Sequence, residues 1–129
     1  MFIRFIKEFY PELQVAVIVR GKDVINDATV EDAEEVGLTE IVPCIGNGNG
    51  APGSVVKRFS EEARELVQKA DLIISKGQGN FESLFGEGWN PYYLFLCKCE
   101  LFVRRFGLEK YESVFVREER IKLIGIEEK

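Results

Sequence analysis

Lys76-Gly77-Gln78-Gly79-Asn80 is the stretch of this 129-residue chain best equipped for chemistry. It follows Leu72, Ile73 and Ile74, a short branched apolar run of the kind that a strand buried on both faces shows. The run is expected to stop at Ser75-Lys76, and Asn80 is a good N-cap for the segment beyond it. Glycines let backbone N–H groups face outward, a helix start adds unpaired donors, and Lys76 adds a full positive charge. That combination suits an anion such as phosphate. The same five residues also read as a tight turn with glycines at positive φ and a solvated lysine, and both readings stay open here.

A second candidate is Asn26-Asp27, just ahead of a predicted helix. Both side chains suit local turn chemistry. Asp27 is also a hard oxygen ligand of the type that shares a divalent cation with a substrate phosphate. The chain has no histidine, which removes Ser-His-Asp and Cys-His catalysis and histidine-based zinc sites together. A catalytic metal would therefore need Asp or Asn oxygens. Cys44, Cys97 and Cys99 form no disulfide framework, and the C-x-C pair lacks the second pair that a structural zinc needs. They read as small buried hydrophobes.

Elements must position these residues. Phe2, Ile3, Phe5, Ile6, Phe9 and Leu13 recur at helical spacing and predict an opening amphipathic helix ending near Pro11. Val15 to Val19 predicts a buried strand, and Thr29 with Asp32 a capping box for a helix that Gly37 terminates. Glu40 to Ile45 is a further extended segment, entering the glycine-rich run from Gly46 to Gly53. Ser60 is expected to cap the next helix, with Ala63, Leu66, Val67 and Ala70 on its apolar face. Beyond the Lys76 loop, Phe81 to Phe85 predicts a short helix, Tyr92 to Leu96 a strand and Cys99 to Phe106 a helix. Ser113 to Val116 and Ile121 to Ile126 predict a closing hairpin turned at Arg117 to Arg120.

Alternating strands and helices indicate one α/β domain over 1–129, a three-layer α/β/α arrangement with a largely parallel, Rossmann-like sheet. Ligands of such sheets bind beyond the carboxyl ends of the strands, where the Asn26-Asp27, Gly46–Gly53 and Lys76–Asn80 segments are expected to converge. Gly48-x-Gly50-x-x-Gly53 matches the dinucleotide string, but Pro52 sits inside it and the helix cap waits until Ser60, so the match is weak. No G-x-x-x-x-G-K-[ST] string occurs. A net charge of −5 argues against a nucleic-acid surface. No apolar run is long enough to span a bilayer, and Met1 to Tyr10 lacks a signal peptide's apolar centre, so a cytoplasmic protein is expected.

Taken in order, Arg20-Gly21, Ile25 to Thr29 with Asp32-Ala33, Gly50 to Gly53, Ala70 to Glu82 and Lys98-Cys99 form a pattern that resembles the damage-control phosphatases, first catalogued as domain of unknown function 89. The resemblance runs from Val15 to Gly107, and its Ser-Lys-Gly-Gln-Gly-Asn-Phe-Glu block is long and specific. It implies hydrolysis of phosphate monoesters, sugar phosphates or damaged phosphometabolites, with a divalent ion (Mn, Co, Ni or Mg). It places Asp27 as a metal ligand and Lys76 with Asp27 as catalytic residues. Asn26, Gly77, Gln78, Gly79 and Asn80 become substrate-binding, with Lys98 as a later phosphate-binding lysine. In a related branch the Gln78 position is aspartate, so it is expected to tune the substrate. Family members are roughly twice this length and carry an earlier Asp-Asn pair that completes the metal site. The chain thus resembles the carboxyl-terminal half of that domain, to be completed by another polypeptide or a second copy. The rival expectation is a non-catalytic phosphometabolite-binding or assembly subunit.

Overall fold

The computed structural model describes residues 2–25 and 27–121. They fall into two compact units: Met1–Ala51 with Val56–Lys69, and Pro52–Val55 with Ala70–Lys129. Both are mixed α/β.

In the first unit the opening helix forms as expected, α1 over Phe2–Phe9, with its aromatic side chains Phe2, Phe5 and Phe9 more than half exposed. Strand β1 (Val17–Val19) pairs in parallel with β2 (Cys44–Gly46), Val17 opposite Cys44 and Val19 opposite Gly46. Between them lies α2 (Val30–Glu35). Its start shows why local sequence suffices there: the Thr29 hydroxyl accepts from the Asp32 N–H while the Asp32 carboxylate accepts from the Thr29 N–H, and both orphan donors are satisfied. Gly37 follows at φ +67°. Helix α3 (Glu61–Lys69) starts where Ser60 accepts from the Ala63 N–H, but of its predicted apolar face only Ala63 is buried.

The ends of β1 and β2 are tied by a residue that the sequence does not advertise. Asn47, 1% exposed, accepts through Oδ1 from the N–H groups of Gly21 and Asn49, while its own backbone bonds to Val19 and Ser60. A buried carboxamide is stable only when so satisfied. Gly21 lies so close to Gly48 that a Cβ would approach the Gly48 nitrogen to 2.6 Å.

In the second unit β3 (Ile74–Lys76), β4 (Tyr92–Leu96) and β5 (Ser113–Arg117) form one sheet in that order. β3 and β4 are parallel, with Ser75 opposite Tyr93, and β4 and β5 antiparallel. β4 alternates as a half-buried strand should: Tyr93 and Phe95 point inward, Leu94 and Leu96 stay exposed. On the inner face pack α4 (Gln78–Leu84) and α5 (Glu100–Phe106), with Phe81 at the centre. Its ring lies 4.8 to 5.5 Å from those of Phe85, Tyr93, Phe95, Phe102 and Phe106.

Three expectations need correction here. The strand before the lysine is Ile74–Lys76, two residues later than predicted, and only Ser75 is buried while Ile74 and Lys76 are exposed. One of its faces is uncovered among the described residues, so an apolar run did not mean burial on both sides. The helix cap is Gly77, not Asn80, which lies inside the first turn of α4. The expected hairpin is also revised: β5 pairs with β4, a short 3₁₀ turn covers Glu118–Arg120, and residues 122–126 lie outside the described set.

Candidate functional site

The Lys76 loop is built by two backbone commitments. The Gly77 N–H donates to the Leu94 carbonyl at 2.8 Å, the last bond of the sheet, and the Gly77 carbonyl then accepts from Phe81, the first bond of the helix. Passing from strand to helix across one residue requires φ +103° and ψ 147°, a conformation that glycine alone adopts readily. One consequence departs from expectation: Gly77's amide serves the sheet and is not available to an anion. The N–H groups of Gln78 and Gly79, in the first helical turn, have no partner among the described residues. Lys76 and Lys98 are exposed and, among the described residues, neither makes an ion pair.

The side chains of the turn are largely spent on shaping it. Asn80 donates through Nδ2 to the Lys76 carbonyl at 2.6 Å and accepts through Oδ1 from the Ser54 hydroxyl at 2.9 Å. Gln78 donates to Glu82 at 3.0 Å and to the Cys99 sulfur at 3.6 Å, and its buried Oε1 has no partner among the described residues. Lys98 therefore adjoins a residue that touches the turn. The end of the glycine-rich loop is docked on α4: a Cβ on Gly53, at φ +73°, would approach Ser83 Oγ to 2.5 Å and the Gly79 carbonyl to 2.6 Å. Gly48 similarly abuts Ser60, and no helix opens within Gly48–Gly53. These glycines serve backbone packing. Ser54 and Ser83 are the residues of this turn that the sequence does not advertise, because their role depends on a contact 26 to 29 positions away.

Asp27 belongs to the first unit. Its Oδ2 accepts from Nε of Arg20 at 2.7 Å, and the arginine is buried while the carboxylate is half exposed. The buried cation fixes one carboxylate oxygen in direction. Beside it lies an open depression of about 430 Å³ lined by Asp23, Val24, Ile25, Asp27, Ala28, Thr29 and Asp32. Asp32 is committed to the capping box, where the Thr29 N–H and then its hydroxyl hold the carboxyl below its ordinary range. Asn26 lies outside the described residues. Among those described, no group of three or more His, Cys, Asp or Glu side chains is placed to hold a metal ion. Cys97 is fully buried, and burial, followed by the charge of Cys99, pushes its thiol up, which suits a packed hydrophobe rather than a thiolate ligand. Among the described residues no helix is long and apolar enough to cross a membrane.

Residues 1–114 match the model of the damage-control phosphatase ARMT1-like domain. The chain is 38% identical over 104 residues to the damage-control phosphatase PH1575 of Pyrococcus horikoshii. It is 35% identical over 103 residues to a damage-control phosphatase of Archaeoglobus fulgidus. Each alignment covers 78% of this chain and 36% of the relative, so the chain spans about a third of the length of these curated relatives. The crystal structure of the Pyrococcus horikoshii protein, described as a DUF89 family protein, superposes with a TM-score of 0.83 at 35% identity. That superposition covers 90% of this chain and 41% of the other.

Proposed function

This chain belongs to the damage-control phosphatase ARMT1-like family, and from that premise we propose that it serves the metal-dependent hydrolysis of small phosphate monoesters, sugar phosphates or damaged phosphometabolites. The observation that carries the reading is the turn after β3: a lysine on the last strand residue, a glycine at positive φ, and immediately beyond it two N–H groups without a partner among the described residues. Lys76 and the N–H groups of Gln78 and Gly79 bind the phosphoryl oxygens and stabilise the charge that builds on them during transfer. Gly77 contributes its conformation and Asn80 the shape of the turn. Gln78 tunes which substrate is accepted, and Lys98 offers a second cation.

A divalent ion, when bound, would polarise the phosphoryl group and activate water. Asp27 has the right donor chemistry for Mn, Co, Ni or Mg. The donor number does not fit, because such ions take several oxygens, no group of three or more His, Cys, Asp or Glu side chains among the described residues is placed to hold one, and Arg20 occupies one oxygen of Asp27. We therefore assign Asp27 a single ligand position. The remaining oxygens would have to come from outside the described residues.

The test is hydrolysis of p-nitrophenyl phosphate with each of the four metals added, alongside titration with inorganic phosphate. Lys76→Ala is expected to lower turnover by about 10²-fold or more, the usual cost of one charge-stabilising donor, and to weaken phosphate binding. Asp27→Ala should abolish the response to metal. Wild-type rates in both variants would refute the assignment. Phosphate binding without turnover under any metal would make the chain a phosphometabolite-binding subunit.

A further inference from the structure

We propose that Ser54 is a positioning residue for the phosphate turn, a role that rests on the reading of Lys76–Asn80 given above. Four hydrogen bonds close a ring between the Pro52–Val55 segment and the first turn of α4. The Ser54 hydroxyl donates to Asn80 Oδ1 at 2.9 Å, and Asn80 Nδ2 donates to the Lys76 carbonyl at 2.6 Å. The Ser54 N–H donates to Ser83 Oγ at 2.6 Å, and Ser83 Oγ donates in turn to the Gly79 carbonyl at 2.9 Å. The ring therefore grips the turn at two carbonyls, Lys76 and Gly79, on either side of the Gln78 and Gly79 N–H groups.

The direction of those two N–H groups follows from the peptide planes that carry them, and the ring restrains the flanking planes. The Lys76 carbonyl, an acceptor only, decides which end of the Asn80 carboxamide faces it, and the Ser54 hydroxyl, donating to Oδ1, holds that side chain in place. Gly53 makes the approach possible, since any side chain there would strike Ser83 and the Gly79 carbonyl. The end of the glycine-rich loop thus acts as a brace under the anion-binding turn. A brace of this kind acts on affinity through pre-organisation: without it the amides must be oriented at the moment of binding.

The experiment compares Ser54→Thr, which keeps the hydroxyl, with Ser54→Val, which has the same shape and lacks it. Both are made in the full chain and titrated with inorganic phosphate by calorimetry, beside the wild type and Lys76→Ala. Ser54→Thr is expected to bind within about threefold of wild type and Ser54→Val about tenfold more weakly than Ser54→Thr, the weight of one neutral hydrogen bond. A purely structural hydroxyl would move the urea midpoint and leave the affinity of the folded chain unchanged. Equal phosphate affinity in the Thr and Val variants, with wild type binding and Lys76→Ala not, overturns the role of Ser54 alone. A wild type that does not bind phosphate overturns the phosphate reading itself, and the role of Ser54 with it.

Discussion

Replacing Phe81 by alanine removes the side chain that holds the turn after β3 to the rest of its unit. Phe81 is 4% exposed and sits one turn into α4, four residues after the glycine that starts the helix. Large-to-small truncation of a buried phenylalanine costs about 3–5 kcal/mol, through lost transfer energy and the cavity left behind. Five aromatic rings within 5.5 Å place this site toward the upper end, because each such pair adds about 0.5–1.5 kcal/mol beyond its buried area. A loss of about 4 kcal/mol is a large share of the ~5–15 kcal/mol that stabilises a domain. At a urea dependence of about 1.5 kcal/mol per molar, the midpoint should fall by roughly 2.5 M. Trp89, the single tryptophan and half-buried within the same unit, reports the transition by its fluorescence. Phe81→Leu, which keeps most of the volume but none of the ring pairs, should cost less than Phe81→Ala. A midpoint shift under about 0.5 M for Phe81→Ala would refute the claim that this ring cluster anchors the turn.

Other outcomes follow from the same geometry. Gly53→Ala should destabilise by about 1 kcal/mol more than Gly86→Ala, measured by urea unfolding. Both substitutions incur the cost of a positive φ, but only Gly53 would place its Cβ 2.6 Å from a backbone carbonyl, whereas nothing lies within 4 Å at Gly86. Thr29→Ala should cost about 1 kcal/mol through the lost helix cap, in the same assay. Asp32 gives that cap a pH dependence. Its carboxyl is held below the ordinary range in the folded chain, so its contribution is present above about pH 4 and is lost as pH falls through the lowered value. Asp32→Asn should therefore show a smaller drop in urea midpoint between pH 6 and pH 3 than the wild type.

What could be read in advance was local. The Thr29 and Asp32 capping box, the Ser60 cap and the glycine closing α2 lie within a few residues of what they satisfy, so residue type and spacing reveal them. The α/β order and the glycine turn after a strand were legible for the same reason. The misplaced start of α4 shows where that logic stops. Asn80 is the better N-cap by residue type, yet the sheet bond from Gly77 to Leu94 and the pull of Ser54 on Asn80 fix the start at Gly77. Both depend on partners 17 to 26 positions away. The burial of β3 was misjudged because apolar composition does not say which faces of a sheet are covered. Asn47 and the Arg20–Asp27 pair were missed because a buried carboxamide and a buried guanidinium are recognised by their surroundings. The family pattern reached the Lys76 block by its length and order, but it could not show that the Gly77 amide is already spent.

The central claim is that the turn after β3 grips phosphate through Lys76 and the Gln78 and Gly79 amides. Titrating ¹⁵N-labelled chain with inorganic phosphate, and following every backbone amide, tests it most directly. Saturable shifts largest at Gln78 and Gly79, small at Gly77 and lost in Lys76→Ala, are the predicted result. Shifts centred elsewhere in the chain, or undiminished in Lys76→Ala, would contradict it.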